Sequence, residues 1–174
     1  QILQQEVVEQ VKTELSFILP QAFEGSRTRW LEAIHTQITQ IAPDVLEELR
    51  GIADGSGVKL DELEIVNFAA YVAPPDTPLS NGITCYLLAA LGSATTSRDL
   101  IIGRHQDLRD PTVRPVFIVR HPQNLGPARI DLTLPASMET MASVTAGGLF
   151  LESHLVIGQG PVPAGATDTM SLIR

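Results

Sequence analysis

A chain of 174 residues with a net charge of −8 and a pI near 4.9 presents an acidic surface, which disfavours nonspecific nucleic-acid binding and attachment to anionic membranes. Its 44% hydrophobic and 18% charged residues suit a buried core and argue against disorder. No apolar run is long enough to span a bilayer, Gln1 does not open a signal-peptide pattern, and one cysteine excludes an internal disulfide or a multi-cysteine zinc site.

Gln1 to Leu19 is predicted to form an amphipathic helix. Leu3, Val7, Val11, Leu15 and Ile18 make one stripe, and Pro20 is expected to end it. A chain that opens inside a helix points to residues upstream. Ser26 to Gly51 carries a second stripe of Trp30, Ile34, Ile38, Ile41, Val45, Leu49 and Ile52, split by Pro43 at the first turn of a new helix. The Gly51 to Gly57 segment, GIADGSG, reads as a turn leading to a helix over Leu60 to Tyr71, with Asp61 and Glu62 in its first turn. It lacks the lysine and serine or threonine of a phosphate-binding loop, so a plain helix–helix turn is the better reading. His35 falls at the surface or boundary of a helix, and His121, before Pro122, in a loop.

Ala73 to Ser80, APPDTPLS, is a stiff proline-rich connector, and after it the pattern changes to short strand-like runs. These cover Ile83 to Leu91, Leu100 to Ile102, Pro115 to Arg120, Arg129 to Leu134 and Gly148 to Ile157. The expected class is α+β: a helical segment over 1–72, a connector over 73–82 and a β-rich part over 83–174, in one structural domain whose helices cover an antiparallel sheet containing Cys85.

The stretch Asn81 to Asp110 carries the candidate chemistry. It reads as a β-hairpin whose loop is Gly92 to Asp99, with Gly103 marking a bulge or a close backbone approach. Pairing its strands brings Cys85 near Arg104 and Asp107 at one end. Taken alone, a cysteine in an apolar strand is inert core and Arg-x-x-Asp at a strand end is a surface ion pair.

The order and spacing of Cys85, Gly103, Arg104 and Asp107 resemble the cysteine branch of the N-terminal-nucleophile (Ntn) amide hydrolases. The nearest likeness is to the penicillin (isopenicillin N) acyltransferase branch, which is related to the choloylglycine hydrolases and acid ceramidases. Glu48 to Asn67 resembles the helical segment that precedes the cysteine there. Three positions depart from the pattern. His105 replaces the usual Asn, Thr145 of TAGGL replaces another, and His154 is the nearest candidate for an oxyanion-hole Asn.

The resemblance implies an Ntn-hydrolase-like αββα sandwich, incomplete in this chain. It implies self-cleavage at Thr84–Cys85, which exposes Cys85 as nucleophile and its new α-amino group as base. Arg104 would supply a permanent positive charge beside the thiol. Asp107 would orient the amine or hold Arg104. The expected partners are a small-molecule amide or acyl substrate and the two processed chains of one precursor, with homo-oligomerisation left open. No cofactor or metal is implied, because ligand-spaced His and Cys clusters are absent from the sequence. Two alternatives stay beside this reading. One is a thiol hydrolase that uses His105 as base and Asp107 as its orienter, without cleavage. The other is a non-catalytic binding protein that keeps the fold.

Overall fold

The computed structural model describes residues 2–22, 27–41, 43–72, 85–106, 114–121 and 126–152. Among them, α1 (Ile2–Ala22), α2 (Arg27–Ile41), α3 (Pro43–Ser56) and α4 (Leu60–Val72) precede β1 (Cys85–Ala90), β2 (Ile101–Gln106), β3 (Val116–Arg120), β4 (Arg129–Thr133), β5 (Thr140–Thr145) and β6 (Phe150–Glu152). The class is α+β, with two antiparallel sheets: β1–β2, and β3-β4-β5-β6 in that spatial order.

The helical stripes meet in one core. Val7, Val11 and Ile18 of α1, Ile34 and Ile38 of α2, Val45 and Leu49 of α3, and Leu63 and Ile65 of α4 are all buried there. Burying each such side chain contributes about 1.5–3 kcal/mol. Leu3 is an exception. It continues the α1 stripe but remains exposed, in the first turn of α1. The side chains of Trp30 and Ile41 and the Ala73–Ser80 connector lie outside the described residues.

Two helix ends differ from expectation. Helix α1 runs past Pro20 to Ala22, since a proline so near a helix end withdraws only one amide from the ladder. Pro43 does open α3, but α3 then continues through Gly51 and Gly55 to Ser56, where a turn was expected. Ile52 and Ala53 pack on the core and keep this stretch helical. The stop is Gly57, whose φ of +76° lets its N–H donate to Ala53 O at 2.8 Å in a left-handed cap. A Cβ at Gly57 would meet nothing within 4 Å, so Gly57→Ala carries only the backbone penalty, about 1 kcal/mol. For a chain of this size thermal melting should drop by about 2–4 °C.

The helices cover one face of the four-stranded sheet. Antiparallel register places Ile118, Asp131 and Ser143 side by side, as it does Arg120, Arg129 and Thr145, all on this face. Glu48 of α3 reaches Arg120 at 2.7 Å. The β4–β5 loop is held by side-chain amides acting as strand mimics. Gln10 of α1 accepts from Ala136 N at 3.1 Å, while Asn67 of α4 donates to Ala136 O at 3.0 Å and accepts from Met138 N at 2.6 Å. Buried backbone groups of the loop are thereby paired.

The opposite face carries Phe117, Val119, Ile130 and Val144, all exposed. The β1–β2 hairpin lies on this far side and is joined to it through Arg104, described below. The sheet containing Cys85 is therefore not the one the helices cover, contrary to the expectation from the sequence. Pro115, just before β3, removes an amide donor where a continuous ladder would need one. No helix among the described residues is long and apolar enough to cross a membrane.

Candidate functional site

Cys85 opens β1 and is partly buried. The register pairs Cys85 with Gln106, Leu87 with Arg104 and Ala89 with Ile102, so these six residues share one face of the hairpin. Arg104 is thus the diagonal neighbour of Cys85, at about 7–8 Å between backbones and within the reach of a long side chain. Tyr86, Leu88, Ile101 and His105 occupy the other face. Strand β2 extends through Gln106, well beyond the expected Ile102, because ladder pairing is indifferent to the polar side chains of Arg104 and His105.

Gly103 is neither a bulge nor a close approach. It pairs regularly with Leu88, and open space surrounds the position of a Cβ. It lies on the hairpin's outward face, where Leu88 is 73% exposed.

The Arg104 side chain is only 8% exposed. Its Nη1 lies 2.7 Å from Glu152 Oε1 and also donates to the Met141 carbonyl oxygen. Both acceptors belong to the second sheet. Register shifts between β4 and β5, from Leu132 opposite Ala142 to Thr133 opposite Thr140, so Met141 is the extra residue of a β-bulge. Glu152 pairs with Ala142, next to that bulge, and its side chain is 3% exposed.

His105 packs its ring against Tyr86, with centroids 5.4 Å apart, on the face opposite Cys85. Asp107, Thr84 and His154 lie outside the described residues. Thr145 closes the β5–β6 turn. Its Oγ1 accepts from Leu149 N at 3.1 Å and its carbonyl from Gly148 N at 2.9 Å, with Gly148 at φ +81°. His35 is surface-facing, with Nδ1 3.4 Å from the buried Glu64. His121 is exposed just after β3.

Comparison with protein-family models, curated proteins and solved structures finds no match to this chain.

Glu152 was not apparent from the sequence. It falls inside the strand-like Gly148 to Ile157 run, 48 positions from Arg104, and no local spacing links the two. A second polar centre was also missed. The fully buried Asp131 accepts from Ser143 Oγ at 2.6 Å, and its Oδ2 lies 2.8 Å from Arg120 Nε and 3.1 Å from Arg129 Nε. This centre sits on the helix-facing side of the sheet, away from the hairpin. Among the described residues, no group of three or more His, Cys, Asp or Glu is gathered to hold a metal.

Proposed function

We propose that this chain is an amide hydrolase or acyltransferase of the cysteine Ntn kind, with Cys85 as nucleophile. The observation that carries the reading is the placement of Cys85 at the head of β1 with the buried Arg104 guanidinium on the same hairpin face. The helices on one face of the four-stranded sheet, with the hairpin joined to the other side through Arg104, agree with part of an αββα order.

The chemistry follows from these groups. Attack of the Cys85 thiol on the Thr84 carbonyl breaks the Thr84–Cys85 peptide bond, frees the α-amino group of Cys85 and leaves Thr84 as a thioester on the sulfur; water then hydrolyses that thioester, releasing the Thr84 carboxylate and restoring the thiol. An α-amine of ordinary pKa, about 7.7–8.0, suits proton transfer near neutral pH. It takes the thiol proton as sulfur attacks a substrate amide carbonyl, then delivers that proton to the departing amine. Water, or a second amine in acyl transfer, next attacks the thioester and releases the thiol. The permanent charge of Arg104 stabilises negative charge developing at sulfur and at the carbonyl oxygen. In this reading Asp107 orients the amine or the guanidinium, the substrate is a small-molecule amide or acyl donor, and the active protein is two chains of one precursor. His105 does not assist Cys85, since its ring packs on Tyr86 on the opposite face.

Intact-protein mass after purification tests the proposal. Two chains are expected, one ending at Thr84 and one beginning at Cys85, whereas Cys85→Ala should remain a single chain. A wild-type protein that stays uncleaved while hydrolysing an amide would rule out the N-terminal amine as base.

A further inference from the structure

We propose that Glu152 is a positioning residue for Arg104, seating its guanidinium on the face of the hairpin that carries Cys85. Its catalytic meaning rests on the reading of Cys85 as nucleophile, but the seat itself rests on geometry. An Nη1 nitrogen carries two hydrogens, and two acceptors face this one: Glu152 Oε1 at 2.7 Å and the Met141 carbonyl. Both are delivered by one local device. The bulge at Met141 displaces its carbonyl from the regular β4 pairing, and β6 sets Glu152 opposite the adjacent Ala142.

The seat is directional. Arg104 projects from β2, and Leu87, the residue it pairs with, lies two positions along β1 from Cys85. A guanidinium pinned at Nη1 between the sheets stays on that side of the hairpin. With the Arg104 and Glu152 side chains 8% and 3% exposed, water cannot easily replace the carboxylate. Without Glu152, a buried guanidinium has reason to turn toward solvent and leave Cys85.

The test uses the only cysteine of the chain as a charge reporter. Cys85 is alkylated at low ionic strength with anionic iodoacetate and with neutral iodoacetamide, and the ratio of the two rates is read. A cation held near the sulfur raises that ratio, and a general loss of stability does not. Arg104→Met should lower it about threefold, as expected for a unit charge several ångströms away in a wet site. Glu152→Gln should lower it equally, and the double variant should be no lower than either single one. A ratio that rises in Glu152→Gln would mean that Glu152 only neutralises a guanidinium held by other means, and an unchanged ratio would mean a structural brace; either overturns the proposal. If Glu152→Gln does not fold, Glu152→Asp replaces it, retaining the charge but withdrawing it by one methylene. Its ratio should fall between wild type and Arg104→Met, and a wild-type ratio would overturn the proposal. Failure of the functional reading shows separately, as an intact Thr84–Cys85 bond in the wild-type protein.

Discussion

Asp131→Asn should lower the unfolding free energy by about 3–5 kcal/mol, the usual effect of removing one partner from a buried charge cluster. Asp131 is fully buried, and it stands between Arg120 and Arg129, whose side chains are 21% and 15% exposed. Asparagine keeps the shape but removes the charge. It also offers donors where the two guanidiniums and Ser143 present donors of their own. Arg120 cannot relieve the conflict by losing its proton. In the wild-type protein burial pulls its pKa down, but the hydrogen bond and charge of Glu48, with the charge of Asp131, outweigh burial and raise it; in the variant Glu48 still favours the charged form of a group that ordinarily does not deprotonate in proteins. The guanidinium therefore stays charged at any pH where the protein is folded. Glu48 gives Arg120 a second carboxylate at 2.7 Å, which places the expected loss near the lower end of the range. Denaturant titration with an unchanged m-value checks it. Glu48→Gln is the comparison. Its carboxylate is 28% exposed and partly solvated, so the loss should be about 1 kcal/mol. An Asp131→Asn loss no larger than that would show that the cluster does not hold the helix-facing side of the sheet together.

The parts of the fold that were legible in the sequence are those whose burial is apolar and local. Val7, Val11, Ile34, Ile38, Val45 and Leu49 recur at helical spacing and are buried where the pattern places them. The parts that were not legible depend on polar burial or on distant partners. Strand β5 was missed because its buried positions include Ser143, whose partner Asp131 is on β4, so no apolar alternation marks it. The glycine content of the GIADGSG segment suggests a stop that its first six residues do not make. The stop is in fact the left-handed φ of Gly57 alone, while Ile52 and Ala53 pack on the core. At the candidate site, antiparallel pairing of the two hairpin strands was enough to place Cys85 and Arg104 together. Which carboxylate holds Arg104 was beyond local reasoning, because β6 and the Met141 bulge bring Glu152 there only after the second sheet has formed.

Arg104→Met should reduce the amide-cleaving rate per folded molecule by on the order of a hundredfold, about 3 kcal/mol of barrier. Methionine removes the guanidinium and keeps the bulk. It fills similar space but carries no charge and no donors, so negative charge developing at sulfur and oxygen loses its fixed cation. Arg104→Lys should restore only part of the rate. An ammonium keeps the charge, but it replaces the planar fork that reaches Glu152 and the Met141 carbonyl with a compact point charge. Both variants also disturb folding, since the Glu152 carboxylate is 3% exposed and its 2.7 Å pairing with Arg104 would be lost or poorly remade. Rate must therefore be expressed per folded, processed molecule, with melting followed on the same samples. A kcat that falls a hundredfold while KM changes little would show that the guanidinium acts in the transition state. A rate per folded molecule equal to wild type, alongside a lowered melting temperature, would reduce Arg104 to a brace between the two sheets and remove it from the catalytic assignment.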